Sequence, residues 1–421
     1  MKKKYLLTGF AALSVSLVLA QKPTVDFNAR GIVVLSDADM TASAMVDGKL
    51  MKEVGSRDLV TSIVLPLTDR SLEIGSTVVS NTATNWTKGM AISADGRTGF
   101  VLESRGQVAD SIKMVKSMAD LPLGAKMFVM DLSNPAKPTA RFGVPTGKLP
   151  LAVDMLNNQL VIVSSETDKE IQLLEVDGTG RPTRVVNTAL KMPGVRATDV
   201  SWHPGGEFIA VTLEESKAIQ LFKARRNAAG KIVIFDIFGK PIAVGTKPTA
   251  GYFTPDGNFY IVSDLKDGMA KSELIVVQIN ITDAAAESKI VSQATVGSWA
   301  EGFAISPDGS MVVTTNANKS YLPWDNADLN RKSSLSLLSL AKDGKLTNIA
   351  EYDFEGVAPQ SVVFDKTGDN IAVAVYEYFD FGKRNGAVEF WKVNKGATSS
   401  LTRSAIKVNV ARGAHTLKMI P

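Results

Sequence analysis

The chain has no cysteine and only two histidines, His203 and His415. Disulfides, thiolate nucleophiles and cysteine-ligated metals are therefore excluded, and two remote histidines do not make zinc-protease or zinc-finger spacing. Surplus charge is also scarce. Lys and Arg number 47 against 43 Asp and Glu, a formal +4. Three of those cations are Lys2, Lys3 and Lys4, and without them no basic excess remains to hold nucleic acid. Known ligand motifs are missing as well. GVPTGK (143–148) is one residue short of a phosphate-binding loop and lacks its Ser or Thr, and there is no complete GxGxxG, no GxSxG and no run of spaced calcium ligands. The sequence calls for no cofactor and no resident metal.

Long apolar runs are absent after the first twenty residues, MKKKYLLTGFAALSVSLVLA. Three lysines precede the apolar stretch Tyr5–Ala20, and Val18-Leu19-Ala20 forms a small-residue cleavage site before Gln21. The stretch falls short of the roughly 20 residues a spanning helix needs. It reads as a signal peptide over 1–20, cleaved near Ala20. The mature chain 21–421 is expected as one domain, periplasmic or secreted, without a membrane span.

What the chain has in abundance is repetition. WTKGMAISADG (86–96) and WAEGFAISPDG (299–309) match at seven of eleven positions. ATDVSWHPGG (197–206), PTAGYFTPDG (248–257) and PQSVVFDKTG (359–368) share the pattern, and PLAVDMLNN (150–158) is a weaker copy. Each is a short β-prone run ending in a turn of the Pro-Asp-Gly type, followed by a second strand such as FIAVTL or FYIVSD. Two more strand candidates complete each unit. The units begin near 87, 150, 197, 248, 300 and 359, about every fifty residues, which is the spacing of propeller blades. GAHTLKMIP (413–421) reads as one more innermost strand, whereas GIVVLSD (31–37), DLVTSIVLPL (58–67) and a segment around 74–80 are three strands lacking an innermost partner. Joining the two ends makes a seventh blade and leaves no open sheet edge. The expected fold is all-β, a seven-bladed propeller of four-stranded antiparallel blades.

PTAGYFTPDGNFYIVSDL and AEGFAISPDGSMVVTTN, with outer-strand phrases such as LLEVDGTGRPTRV, resemble the seven-bladed propellers of the lactonase and YVTN-repeat superfamily. The resemblance covers roughly residues 28–421. In lactonase-type members the residues before the innermost strand often read Pro-Arg-His and face the central channel. The corresponding pairs here include Lys88-Gly89, Thr198-Asp199, Glu301-Gly302, Gln360-Ser361 and Ala414-His415, with Arg412 just upstream.

Candidate chemistry therefore collects at the channel mouth. Lys88 or Arg412 is the expected cation, and His415 or Glu301 the base, with Gln360 and Asp199 as polar ligand-binding groups. Lys88 and Glu301 should face each other across the channel. Trp86 and Trp299 stand two residues before Lys88 and Glu301, placed either to stack on a sugar ring or to wedge neighbouring blades apart. Long loops at 103–124, 316–332 and 377–385 border the same face, and Trp324 lies in the second. Two functions fit: a scaffold binding a small polar ligand or a protein partner, expected as a monomer, or a hydrolase opening a sugar lactone.

Overall fold

The computed structural model describes residues 25–50, 52–67, 72–81, 87–268, 270–379 and 384–421. The leader and Trp86 lie outside the described residues. Among the described residues, twenty-eight strands form seven four-stranded antiparallel sheets, and the helical content is slight, as in Ala44–Asp47. Six sheets are continuous in sequence. Their innermost strands are Met90–Ile92, Ala152–Leu156, Ala197–Trp202, Pro248–Phe253, Gly302–Ile305 and Val357–Phe364, the first strands of blades one to six. Blade seven combines the two ends: Ala414–Ile420 is innermost, followed by Gly31–Ser36, Leu59–Val64 and Ile74–Val78. The expected seven-bladed ring is what forms.

Burial explains why the second strands read as unbroken apolar runs. FIAVTL, FYIVSD and MVVTTN are buried at every position, covered on both faces by adjacent blades. The outermost strand PTRVVNT instead alternates half-buried and exposed residues, because one face meets water.

The repeated turn has a local cause. Asp256 accepts the Thr254 hydroxyl and the Asn258 N–H, while Gly257 takes a φ of 76°. Ser306, Asp308 and Gly309 repeat this arrangement. The hydroxyl two residues before the Asp is thus as much a part of the signal as the Gly.

At the opposite end, several innermost strands carry a bulge at their entry. Thr198, Gln360 and His415 are each skipped in the pairing with the second strand. A bulge re-aims a side chain, so equivalent sequence positions need not project alike.

Candidate active site

Lys88 lies just before the innermost strand of blade one, where its carbonyl accepts the Val153 N–H of blade two. Its side chain crosses the channel interior. The ammonium reaches Asp199 Oδ2 at 2.9 Å, Val200 O at 2.8 Å, Ser201 Oγ at 2.6 Å and Gly251 O at 2.6 Å, on blades three and four. It also rests 4.2 Å from the centre of the Tyr252 ring. Lys88 and Asp199 are both buried. Burial raises the Asp199 carboxyl above its ordinary range, and the Lys88 charge and the Gly251 N–H oppose that rise. The expected ligand-facing cation at Lys88 gives way to an internal tie, because four oxygens already surround its ammonium.

Above this tie is a cavity of about 260 Å³ at the entry face. Its wall includes Arg105, Arg196, Thr198, Glu214 and Glu301, with Lys88 and Asp199 below. Lys88 and Glu301 therefore border one cavity, although the Lys88 ammonium is already taken up by its four oxygens. Arg105 ends the second strand of blade one, Thr98–Arg105, and donates to the Ala119 and Leu121 carbonyls of the long loop. Burial lowers its pKa, and the nearby Arg196 adds to that. Arg196 itself sits near Glu214 at 3.7 Å and Glu215 at 3.6 Å. Two guanidiniums thus border the cavity, each with its orientation set by neighbours.

Glu301 is half-buried in this wall. Burial pushes its carboxyl up to about 7, reinforced by Glu214 and Asp199 and resisted by Lys247 and the Trp299 indole. A carboxyl poised near neutrality can hold or release a proton at working pH. Trp299 packs against Tyr321 at 4.8 Å between ring centres, with the Lys247 ammonium 5.3 Å from its own ring. It belongs to an apolar cluster with Leu322 and Tyr376.

The remaining candidates lie outside the cavity wall. His415 is fully buried, its Nε2 2.7 Å from Asn81 Oδ1 and its Nδ1 3.1 Å from the Thr416 hydroxyl. Gln360 is 1% exposed, and neither end of its amide has a partner among the described residues. Arg412 is buried and donates to the Ala38 carbonyl. Trp324 is 69% exposed on its loop. His203 is at the opposite face, accepting the Gly205 N–H and contacting the Gly257 carbonyl.

Beside Arg412, Asp37, Asp39 and Asp58 place carboxylate oxygens within 4.8 Å of one another, the arrangement best suited to a cation among the described residues. Lys52 already lies 3.4 Å from Asp39, and burial raises Asp58 well above the usual range. The cluster thus has internal routes to neutrality.

Arg105 was not legible as a site residue. Its only signal is a position at the start of a long loop, two residues after Glu103, and it meets Arg196 only because blades one and three converge on the axis.

The fold and this cavity define a seven-bladed propeller with an ionisable channel mouth. No family model matches the sequence, and no curated protein matches it either. Solved structures do. The fold is similar to a candidate 6-phosphogluconolactonase from Bacteroides uniformis, at 12% identity and TM-score 0.61 over 92% of this chain and 99% of that one. It is also similar to the periplasmic gluconolactonase of Pseudomonas aeruginosa, at 13% identity and TM-score 0.57 over 93% and 98%. A hypothetical selenium-binding protein from Sulfolobus tokodaii is similar at 9% identity and TM-score 0.61, over 93% and 94%. At such identities the likeness is one of fold. No helix among the described residues is long and apolar enough to cross a membrane.

Proposed function

We propose that the protein hydrolyses a small polar cyclic ester, a sugar lactone, in the entry-face cavity. The observation that carries this reading is Glu301, a carboxyl held near neutrality in a wall shared with Arg105 and Arg196. Ionised Glu301 takes a proton from a water as that water's oxygen bonds to the lactone carbonyl carbon. Negative charge developing on the carbonyl oxygen is stabilised by the two guanidiniums. The acyl carbon–ring oxygen bond then breaks, the proton on Glu301 passes to the departing ring oxygen, and an open hydroxy acid leaves. Lys88 and Asp199 act as positioning residues beneath the substrate. The lactonases among the fold relatives support the substrate class.

Acid release from glucono-δ-lactone, followed with a pH indicator and corrected for spontaneous opening, tests this. Glu301→Gln should lower kcat/KM by about 10²–10⁴-fold, and the wild-type rate should rise through a pKa near 7. The same substitution should stabilise the fold above neutrality. A carboxyl raised from 4.5 to about 7 keeps its proton in the folded state across that interval, while the unfolded chain has lost it. Wild-type stability from this group is therefore full below 4.5 and is lost as pH rises toward 7, by on the order of 1–3 kcal/mol. Thermal melts at pH 5 and pH 8 should show Glu301→Gln gaining relative to wild type only at pH 8. Saturable lactone binding without turnover would replace the hydrolase with the binding scaffold.

We also propose that the leader directs this activity to the periplasm or the exterior. N-terminal sequencing of the exported protein should begin at Gln21, and an uncleaved chain in the membrane fraction would refute export by this route.

A further inference from the structure

The channel has a second mouth, on the face of the Pro-Asp-Gly turns. It opens into a cavity of about 600 Å³ that shares no wall residue with the entry-face cavity. The Lys88 ammonium, bonded to Asp199 and Ser201, lies between the two. The walls are mostly apolar: Trp202, Tyr252, Phe253, Phe303, Phe364 and Met419, from five blades, contribute. A rim is made by turn prolines such as Pro204, Pro255 and Pro307.

One charge in this cavity is unanswered. Lys418, in the innermost strand of blade seven, lines it. Among the described residues, no acceptor lies within hydrogen-bond distance of its ammonium and no carboxylate within 4.0 Å. Its electrostatic neighbours are Asp154, Asp199 and Lys88, and burial lowers its pKa. The two interior carboxylates are already served, and Lys366 is exposed to solvent at the rim. Asp199 holds Lys88, and Asp154 accepts the backbone N–H groups of Met155 and Trp202. At the rim, Asp365 accepts the Asn28 N–H and the Asn370 amide, and Lys366 lies beside it. An ammonium facing an apolar cavity without a partner costs stability that an incoming anion would relieve.

We propose that this mouth is a second ligand site, taking an apolar monocarboxylate whose tail lies among the aromatic rings and whose carboxylate pairs with Lys418. The class follows from the walls and the charge. Aromatic and aliphatic surface selects a hydrocarbon body, and one interior cation with Asp154 nearby, Lys366 being exposed at the rim, suits one negative charge rather than two.

Calorimetric titration of the whole protein with octanoate, 1-octanol and octylamine tests this, with Trp202 fluorescence as a second readout. Octanoate should bind once per chain, about tenfold or more tighter than octanol, as a charge-assisted hydrogen bond implies, and octylamine should bind more weakly than octanol. Lys418→Met should remove the octanoate advantage and leave octanol unchanged. Glu301→Gln should leave octanoate affinity unchanged, which separates this site from the lactone reading. The site is overturned if octanoate binds no tighter than octanol, if Lys418→Met binds octanoate as wild type does, or if Glu301→Gln abolishes binding. Should Lys418→Met fail to fold, the three-ligand comparison on the wild-type protein decides alone.

Discussion

Deleting residues 413–421 should abolish cooperative folding. Ala414–Ile420 pairs along Gly31–Ser36, with Gly31 opposite Ile420, Val33 opposite Lys418 and Leu35 opposite Thr416. Leu417 packs with Ile32 and Val34 and with Ala372 and Ala374 of blade six, while Ile420 packs with Val33, Leu35 and Val101 of blade one. Burying those two side chains contributes roughly 3–6 kcal/mol, comparable with the whole net stability of many domains at roughly 5–15 kcal/mol. The deletion also unzips the ring and leaves Gly31–Ser36 as an open apolar edge, a template for aggregation. Circular dichroism melts and size-exclusion chromatography should show a broad transition or soluble aggregate. A truncated monomer with an unchanged Tm would refute ring closure by the two ends. Gly413 leads into that strand at a φ of 87°, and a Cβ there would fall 1.9 Å from the Asp37 carbonyl oxygen, so even Gly413→Ala strains the closure.

Lys88→Met should cost about 3–5 kcal/mol at pH 8, the usual consequence of removing one member of a buried ion pair. Among the described residues, Asp199 Oδ2 would keep only the Gly251 N–H as a hydrogen-bond donor, in a site where burial already raises its pKa. The sign with pH follows. Without Lys88, the Asp199 carboxyl rises further above its unfolded value, so the folded state binds the proton more tightly. The variant is then least destabilised at low pH and loses stability as pH climbs through the raised pKa. Adding Asp199→Asn should recover about 2 kcal/mol or more at pH 8, because no buried charge is left unmatched. Chemical denaturation of the four proteins at pH 5 and pH 8 measures the cycle. Full additivity of the two substitutions would mean that the pair is not the channel tie described above.

The blade count was legible because each hairpin announces itself locally. TPDG and SPDG place a hydroxyl, an aspartate and a glycine where one turn uses all three, and FYIVSD and MVVTTN are apolar at both parities because neighbouring blades cover both faces. The three orphan strands near the N-terminus and the lone strand at the C-terminus were legible by subtraction. Glu301 was legible as a channel-mouth carboxylate, since its position repeats that of Lys88. Its near-neutral proton was not, because that comes first from burial where the blades converge, with Glu214 and Asp199 of blade three adding to the rise against the opposing charge of Lys247.

His415 and Gln360 show where repeat position stops being informative. Gln360 stands at the entry position of Glu301 and His415 one residue further on, and both are skipped at bulges and buried. Thr198 is skipped too, yet lines the mouth, so a bulge re-aims a side chain in a direction that repeat position does not give. Lys418 and Asp154 carried a weak signal, each the one formal charge of its innermost strand, but strand pattern alone cannot say which face looks onto the axis.

The strands, the turns, the sevenfold count and the joining of the ends can all be read along the chain, since they depend on residues close together or on a strand left without a neighbour. It takes the closed ring to bring Lys88 onto Asp199, Arg105 and Arg196 into one cavity with Glu301, and Lys418 into an apolar mouth where no acceptor among the described residues meets its ammonium. These are meetings between blades, at distances set by ring closure, and side-chain reach across a channel leaves no periodicity to read.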